Sequence, residues 1–258
     1  PAGIQDADYV VIESTYGDRL HDKADPTEQI GEVVSRTIGR GGSVVIPAFA
    51  VGRAQSLLYH LYRLKAEKRI PDVPVYLDSP MAISATTLMQ RFANDHRLSP
   101  EECAAMCDAA IYTRTAEASR AIHSTIWPKV IISASGMATG GRVLHHLKEC
   151  LGNPRNTILL AGFQAAGTRG DKLARGEREL RIHGQDWPVK AEIVKLDSMS
   201  AHADYDDLLR WLGHLSQPPK KVFITHGEPA AAASLQQKIS ERFGWPAIVP
   251  ALGDMFEL

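Results

Sequence analysis

Short runs of continuous apolar residues recur along the chain, each followed by a loop of small residues and then by apolar positions at helical spacing. The first run, Ala7-Asp8-Tyr9-Val10-Val11-Ile12, ends at Glu13-Ser14-Thr15-Tyr16-Gly17 and predicts a buried strand with a carboxylate at its end. A helix is expected over residues 27–38, entered through Asp25-Pro26 and stopped by Gly39-Arg40-Gly41-Gly42. Strands at 43–46, 73–77, 130–132 and 157–160 then alternate with helices at 54–68, 82–94 and 143–150. Residues 95–127 read as helical with weak patterning, and Ser99-Pro100-Glu101-Glu102 has the form of a helix start. After Trp187-Pro188 come a strand at 191–196, a helix at 206–215, a strand at 221–225, a helix at 230–243 and a last strand near 248–250. This alternation predicts the α/β class, with a mostly parallel sheet flanked by helices.

Composition narrows the picture by exclusion. A chain of 258 residues, 44% hydrophobic and 23% charged, is long enough for one or two compact units of ordinary globular type. With 29 basic against 30 acidic residues, no global basic field points to a nucleic acid, although a local patch would be averaged away. No run approaches the ~18 apolar residues of a membrane span, so no membrane partner is expected. Cys103, Cys107 and Cys150 are odd in number and unevenly spaced, which argues against a disulfide framework and for a reducing compartment, the cytoplasm. The chain opens at Pro1 without methionine or signal sequence, and a processed or cut product is the expectation.

Three side chains with chemical potential fall just after strands, where open α/β sheets place ligand sites: Glu13, His202 and His226. Each also has a structural reading. Glu13 can cap a helix or pair with Arg19, His202 can bond to its neighbours in the 198–205 turn, and His226 can fill a tight turn before Gly227. Taken together, a carboxylate and two histidines are the ingredients of acid–base chemistry or of a metal site. Their separation in sequence matches no local metal motif. Ser200 and Asp204 flank His202 at the entrance of a helix whose first N–H groups suit an anion.

The wording around these residues is specific. Val11-Ile12-Glu13-Ser14-Thr15-Tyr16-Gly17, Ser200-Ala201-His202-Ala203-Asp204 and Thr225-His226-Gly227-Glu228 resemble the three motifs of the β-CASP family of metallo-β-lactamase-fold nucleases. Pro47-Ala48-Phe49-Ala50-Val51-Gly52-Arg53-Ala54-Gln55 and Ser133-Ala134-Ser135-Gly136-Met137 are similar to its RNA-processing branch, which includes the endonuclease that cuts messenger-RNA 3′ ends. The resemblance covers essentially the whole chain. It implies that Glu13 orients His202, that His202 is the general acid at the scissile phosphate and that His226 ligates zinc. Two zinc ions would activate water for attack on an RNA phosphodiester. It further implies a β-CASP domain at 18–197, inserted between metallo-β-lactamase segments at 1–17 and 198–258.

The sequence departs from the family pattern in one respect: the His-x-His-x-Asp-His metal motif does not occur in it. His145 and His146 are adjacent in an expected helix and do not replace it. The expectation is therefore the C-terminal portion of a longer zinc-dependent ribonuclease, inactive alone. Contacts to the RNA phosphates, with single-stranded RNA as partner, would come from Arg53, Ser135, Gly136, Arg142, Arg169 and Ser200. Endonuclease and exonuclease action, and monomer and homodimer, are equally compatible with the sequence. Two other classes stand beside this reading: a metal-free nucleic-acid-binding module and a small-molecule hydrolase of the same fold.

Overall fold

The computed structural model describes residues 2–258. Pro1, the first residue of the expected 1–17 segment, lies outside the described residues. The chain divides into two compact units, one formed by residues 2–22 with Ser200–Leu258 and the other by Lys23–Met199.

In chain order, strand β1 (Tyr9–Glu13) is followed by helix α1 (Pro26–Gly39), β2 (Val44–Pro47), α2 (Arg53–Ala66), β3 (Val75–Leu77) and α3 (Pro80–Arg91). Next come α4 (Pro100–Asp108), β4 (Ile111–Tyr112), α5 (Ala116–Ala121), β5 (Val130–Ser133), α6 (Val143–Cys150), β6 (Thr157–Ala161) and α7 (Arg169–Ala174). The chain closes with β7 (Glu179–Ile182), β8 (Gln185–Pro188), β9 (Glu192–Leu196), α8 (Tyr205–Leu212), β10 (Lys221–Thr225), α9 (Pro229–Phe243) and β11 (Ala247–Ile248).

In the Lys23–Met199 unit, six strands form a parallel sheet in the order β4-β3-β5-β2-β6-β9. Side chains alternate across a strand, so an unbroken apolar run means burial on both faces. Val44, Ile46, Val130 and Ile132 enter one core with Ile30 and Val34 of α1 and Leu57, Leu58 and Leu61 of α2. Val45, Ile131 and Ile158 enter the other, against Val143, Leu144 and Leu147 of α6. Cys103, Met106 and Cys107 of α4 complete the first core, and all three thiols of the chain are buried and unpaired. Helix starts follow the local chemistry. The Asp25, Ser79 and Ser99 side chains accept N–H groups in the first turns of α1, α3 and α4, each with proline at the first helical positions.

Several elements differ from the sequence expectation, among them α7, which has no counterpart in it, and α3, which ends at Arg91 rather than residue 94. The 95–127 stretch is not simply helical: β4 pairs with β3 at the sheet edge between α4 and α5. A strand of two residues has no period to read. The β7–β8 hairpin was not expected, and its turn is His183-Gly184 with φ of 50° and 81°, the left-handed pair that a two-residue loop requires. Helix α8 stops at Leu212 rather than residue 215, capped by Gly213.

The other unit holds a parallel sheet in the order β1-β10-β11, covered by α8 and α9. Val10 and Ile12 of β1 pack with Val222 and Ile224 of β10, Leu208, Leu209 and Leu212 of α8 and Leu235 and Ile239 of α9. Val11, between the two buried positions of β1, is 70% exposed.

Candidate active site

The register of β1 on β10 builds the site. Glu13 pairs with Thr225 in the parallel ladder, so the residues that follow each strand, Ser14-Thr15 and His226, emerge side by side. The Ser14 hydroxyl donates to the Thr225 carbonyl at 2.8 Å and ties the two ends together. His226 takes φ of +50°, a conformation that costs a side-chain-bearing residue of order 1 kcal/mol. Gly227 follows because a Cβ there would sit 2.5 Å from the Ser14 carbonyl oxygen.

The third strand-to-helix turn brings in His202. Asp204 caps α8, its carboxylate accepting the Asp207 N–H at 2.9 Å and the His21 N–H at 3.0 Å. Burial works against that charge, and the two amide hydrogen bonds outweigh it, holding the Asp204 carboxyl below the ordinary aspartate range. His21 Nε2–H donates to the His202 carbonyl at 2.7 Å, and the His21 ring packs edge-on against buried Tyr16. Tyr16 and Asp204 also form a parallel β-bridge. The backbone of the 200–204 turn is thus fixed from both sides.

His202 Nδ1 lies 2.6 Å from Glu13 Oε2, and the Ala203 N–H reaches Glu13 Oε1 at 3.4 Å. The rings of His202 and His226 stack with centroids 5.4 Å apart. Thr15 links the group: its hydroxyl is 2.7 Å from Glu13 Oε2, 3.2 Å from His226 Nδ1 and 3.4 Å from His202 Nδ1. A hydroxyl has one proton to give, and the carboxylate is its shortest and only charged acceptor. The Thr15 oxygen is then left to accept from His226 Nδ1–H, which makes His226 Nε2 the lone-pair nitrogen. That atom has no hydrogen-bond partner among the described residues, and His226 is exposed. An open cleft of about 620 Å³ is lined by Glu13, Ser200, His202, His21, Trp211 and His214, among others.

One ligand atom from each of Glu13, His202 and His226 falls within 4.8 Å of the others, so the cluster has the composition of a metal site. The 2.6 Å contact commits the Nδ1 side of His202 to Glu13, so the ring nitrogens left for a metal are Nε2 of His226 and, in the neutral ring, Nε2 of His202. The Thr15 hydroxyl on the other ring nitrogen of His226 is the outer partner that metal-bound histidines use to fix their tautomer. One imidazole does not complete a tetrahedral zinc. Even with His202 Nε2 counted beside it, the imidazoles present fill only part of a zinc's ligand set.

Glu13, Ser200, His202 and His226 come together in one unit; Ser200 Oγ accepts the His202 N–H at 3.2 Å. Arg53, Ser135, Gly136, Arg142 and Arg169 all lie in the other unit. There the Ser135 hydroxyl accepts N–H groups of Thr139 and Gly140 and closes its own loop. Arg142 bonds Asp78 Oδ1 at 2.7 Å and the carbonyls of Thr113 and Arg114. Arg169 bonds the carbonyls of Arg181, Ala138 and Thr139. His146, buried, bonds Asp78 Oδ2 at 2.7 Å, whereas His145 is exposed, its ring against His183. Sequence reasoning missed Thr15 and His21. The signal for Thr15 was its place two residues after Glu13, which in an irregular strand end can return a side chain to the same side; His21 gave none.

Adjacent parallel strands β1 and β10 end at an acid and a histidine, and the turn before α8 sets a second histidine beside them, an arrangement that suits hydrolytic acid–base or metal chemistry in an α/β protein. Residues 54–173 match the Beta-Casp domain, and residues 186–250 match the Zn-dependent metallo-hydrolase RNA specificity domain. Over 92% of its length the chain is 37% identical to "Ribonuclease TTHA0252" of Thermus thermophilus, covering 55% of that protein. Over 99% it is 35% identical to the "RNase J-like protein" of Methanocaldococcus jannaschii, covering 60%. Over 90% it is 32% identical to "Transcription termination factor FttA" of Methanosarcina mazei, covering 39%. The chain belongs to the β-CASP family of metallo-β-lactamase-fold nucleases. It spans 60% or less of the length of these relatives.

Proposed function

We propose that this chain is the β-CASP-bearing part of a metal-dependent, zinc-using ribonuclease that hydrolyses phosphodiester bonds of single-stranded RNA. The observation that carries the reading is the Glu13–His202 pair at 2.6 Å beside His226, whose Nε2 has no partner among the described residues. Glu13 holds His202 by Nδ1, so the proton available for transfer is the one on Nε2 of the imidazolium. Delivered to the departing 3′ or 5′ oxygen, it would offset the charge of the leaving alkoxide. His226 would hold metal through Nε2, with Thr15 behind it; when bound, metal supplies an activated water and charge neutralisation at the phosphoryl oxygens.

The remaining metal ligands would come from a His-x-His-x-Asp-His segment, which this chain does not contain. In the Lys23–Met199 unit we assign Arg53 and Gly136 to the RNA backbone. Ser135, Arg142 and Arg169, engaged as they are, would hold the shape of the loop that meets it. The three unpaired thiols support a reducing, cytoplasmic setting.

The test is made in the protein carrying the complete hydrolytic domain. His202→Ala should cut RNA cleavage by about 10²–10⁴-fold with metal content kept, while His226→Ala should lower metal content and cleavage together. Metal lost from the first variant and kept in the second would reverse the two roles, and normal cleavage by both would move the site elsewhere.

A further inference from the structure

The Lys23–Met199 unit exposes three large apolar side chains at one end of its sheet. Phe49 is 48% exposed, Val51 70% and Met81 67%. Phe49 and Val51 lie in the loop after β2, and Met81 in the first turn of α3 after β3. Strands β2 and β3 both pair with β5, so these loops stand at the C-terminal ends of three adjacent parallel strands, with the Ser135–Gly136 loop after β5 between them. That edge is where open α/β sheets receive ligands.

The exposure is built in. Ala54 N–H donates to the Phe49 carbonyl at 3.1 Å, and Ala48 N–H to the Ser133 carbonyl at 2.9 Å. The buried Gln55 amide donates to the Ala50 carbonyl, the Ala82 carbonyl and Thr86 Oγ1, and its oxygen accepts the Gly52 N–H at 2.7 Å. One side chain thus fixes the Phe49 loop to the start of α3. Gly136 lies against the ring: a Cβ there would be 2.9 Å from Phe49 Cδ2 and from the Phe49 nitrogen. A phenyl ring left half in water forgoes on the order of 1 kcal/mol of burial, and here a rigid loop holds it there.

We propose that Phe49, flanked by Val51 and Met81, is a stacking platform for an unpaired base of single-stranded RNA. The proposal rests on the RNA reading above and names a contact that reads the base face. Three side chains are too little surface for a stable protein interface, which takes ~800 Å² per partner, but they match one or two bases. Arg53, four residues after Phe49 at the start of α2, has its guanidinium near Gly162 after β6 and supplies positive charge on the same edge of the sheet for a phosphate of the strand. Stacking on an aromatic ring is tolerant of sequence because every base has a π-face.

The experiment is fluorescence anisotropy of the chain with a short labelled single-stranded RNA, across a salt series, using wild type, Phe49→Ala, Phe49→Trp and Arg53→Ala. Phe49→Ala should weaken binding by about 5- to 150-fold with the salt slope unchanged, and Phe49→Trp should restore binding with its emission quenched by RNA. Arg53→Ala should instead reduce the salt slope, by about 1. An abasic strand of the same length should bind wild type and Phe49→Ala alike. RNA binding that is equal in wild type and Phe49→Ala overturns the platform and leaves the RNA reading standing; no binding by wild type overturns that reading and the platform with it. A change of self-association in Phe49→Ala, seen by sedimentation with RNA affinity unchanged, makes the patch an interface between copies and also overturns the proposal.

Discussion

Thr15 shows how much of a site can hang on one hydroxyl. It touches Glu13, His202 and His226 within 3.4 Å, and its single proton decides which histidine nitrogen is left as a lone pair. Thr15→Val keeps the shape and removes the hydrogen bonds. In the complete protein we expect a loss of about 10–100-fold in metal affinity or cleavage, checked by metal titration alongside RNA turnover; unchanged values for both would mean that Glu13 alone orders the site. Glu13→Gln should lower turnover less than His202→Ala, because the amide oxygen can still accept from Nδ1–H but no longer brings a negative charge to the ring. Gly227 carries a steric requirement. Gly227→Ala brings a methyl group to 2.5 Å from the Ser14 carbonyl oxygen, so the β1 and β10 ends must part and carry Thr15 away from His226. A lowered melting temperature of about 4–8 °C per kcal/mol lost for a domain of this size, together with weaker metal binding, is the expected result; an unshifted melt would show that the strand ends give way at no cost.

At the scale of elements, what the sequence disclosed follows from burial. Val44-Val45-Ile46, Val130-Ile131-Ile132 and Ile158-Leu159-Leu160 are apolar throughout because both faces of the parallel sheet are covered, so they read plainly. β4 did not, since two residues at a sheet edge leave no pattern, and the β7–β8 turn uses His183 where asparagine would have announced it. Glu13, His202 and His226 were legible from the motifs around them, whereas the links through Thr15 and His21 depend on tertiary approach and leave no periodic trace. The same limit hid a polar network inside the larger unit. Asp78, fully buried, accepts from Thr113 and Arg142 at 2.7 Å, from Ser119, and from His146 Nε2, whose Nδ1 lies 2.7 Å from His123 Nε2. Burial pushes the Asp78 carboxyl up, and the donors from His146, Ser119, Thr113 and Arg142 together pull it far below the usual aspartate value. Burial, with the nearby His146 and Lys129, brings His123 down from 6.5 to about 4. Between those values the unfolded chain binds a proton that the folded one refuses, so stability falls as pH drops from 6.5 to about 4. Asp78 adds a further loss once the pH passes below its unfolded value of 3.8. Urea unfolding of wild type and His123→Gln across this range is the measurement. The glutamine keeps an N–H for His146 without titrating, and should flatten the slope above pH 4; an identical slope in both would place the titration elsewhere.

For the whole molecule, the donor count sets what this chain can do unaided. His226 supplies one nitrogen and His202, bound to Glu13 through Nδ1, at most a second through Nε2, whereas a tetrahedral zinc held by protein asks for three or four ligands. A second cluster, His21, Asp204 and Asp207, has ligand atoms within 4.8 Å, but Asp204 is already spent on capping α8 and holding the His21 backbone. The isolated chain should therefore lose zinc on dialysis against a weak chelator and should not cleave RNA. It should still bind single-stranded RNA with an affinity that falls as salt is added, because backbone contacts release counterions. Joined to the His-x-His-x-Asp-His segment that completes the ligand set, the same residues should retain zinc through the same dialysis and gain cleavage that His226→Ala abolishes. Metal analysis of the two preparations side by side decides the matter. Two tightly held zinc ions in the isolated chain would mean that the ligands lie within these 258 residues after all, and would overturn the assignment of His202 as an acid rather than a ligand.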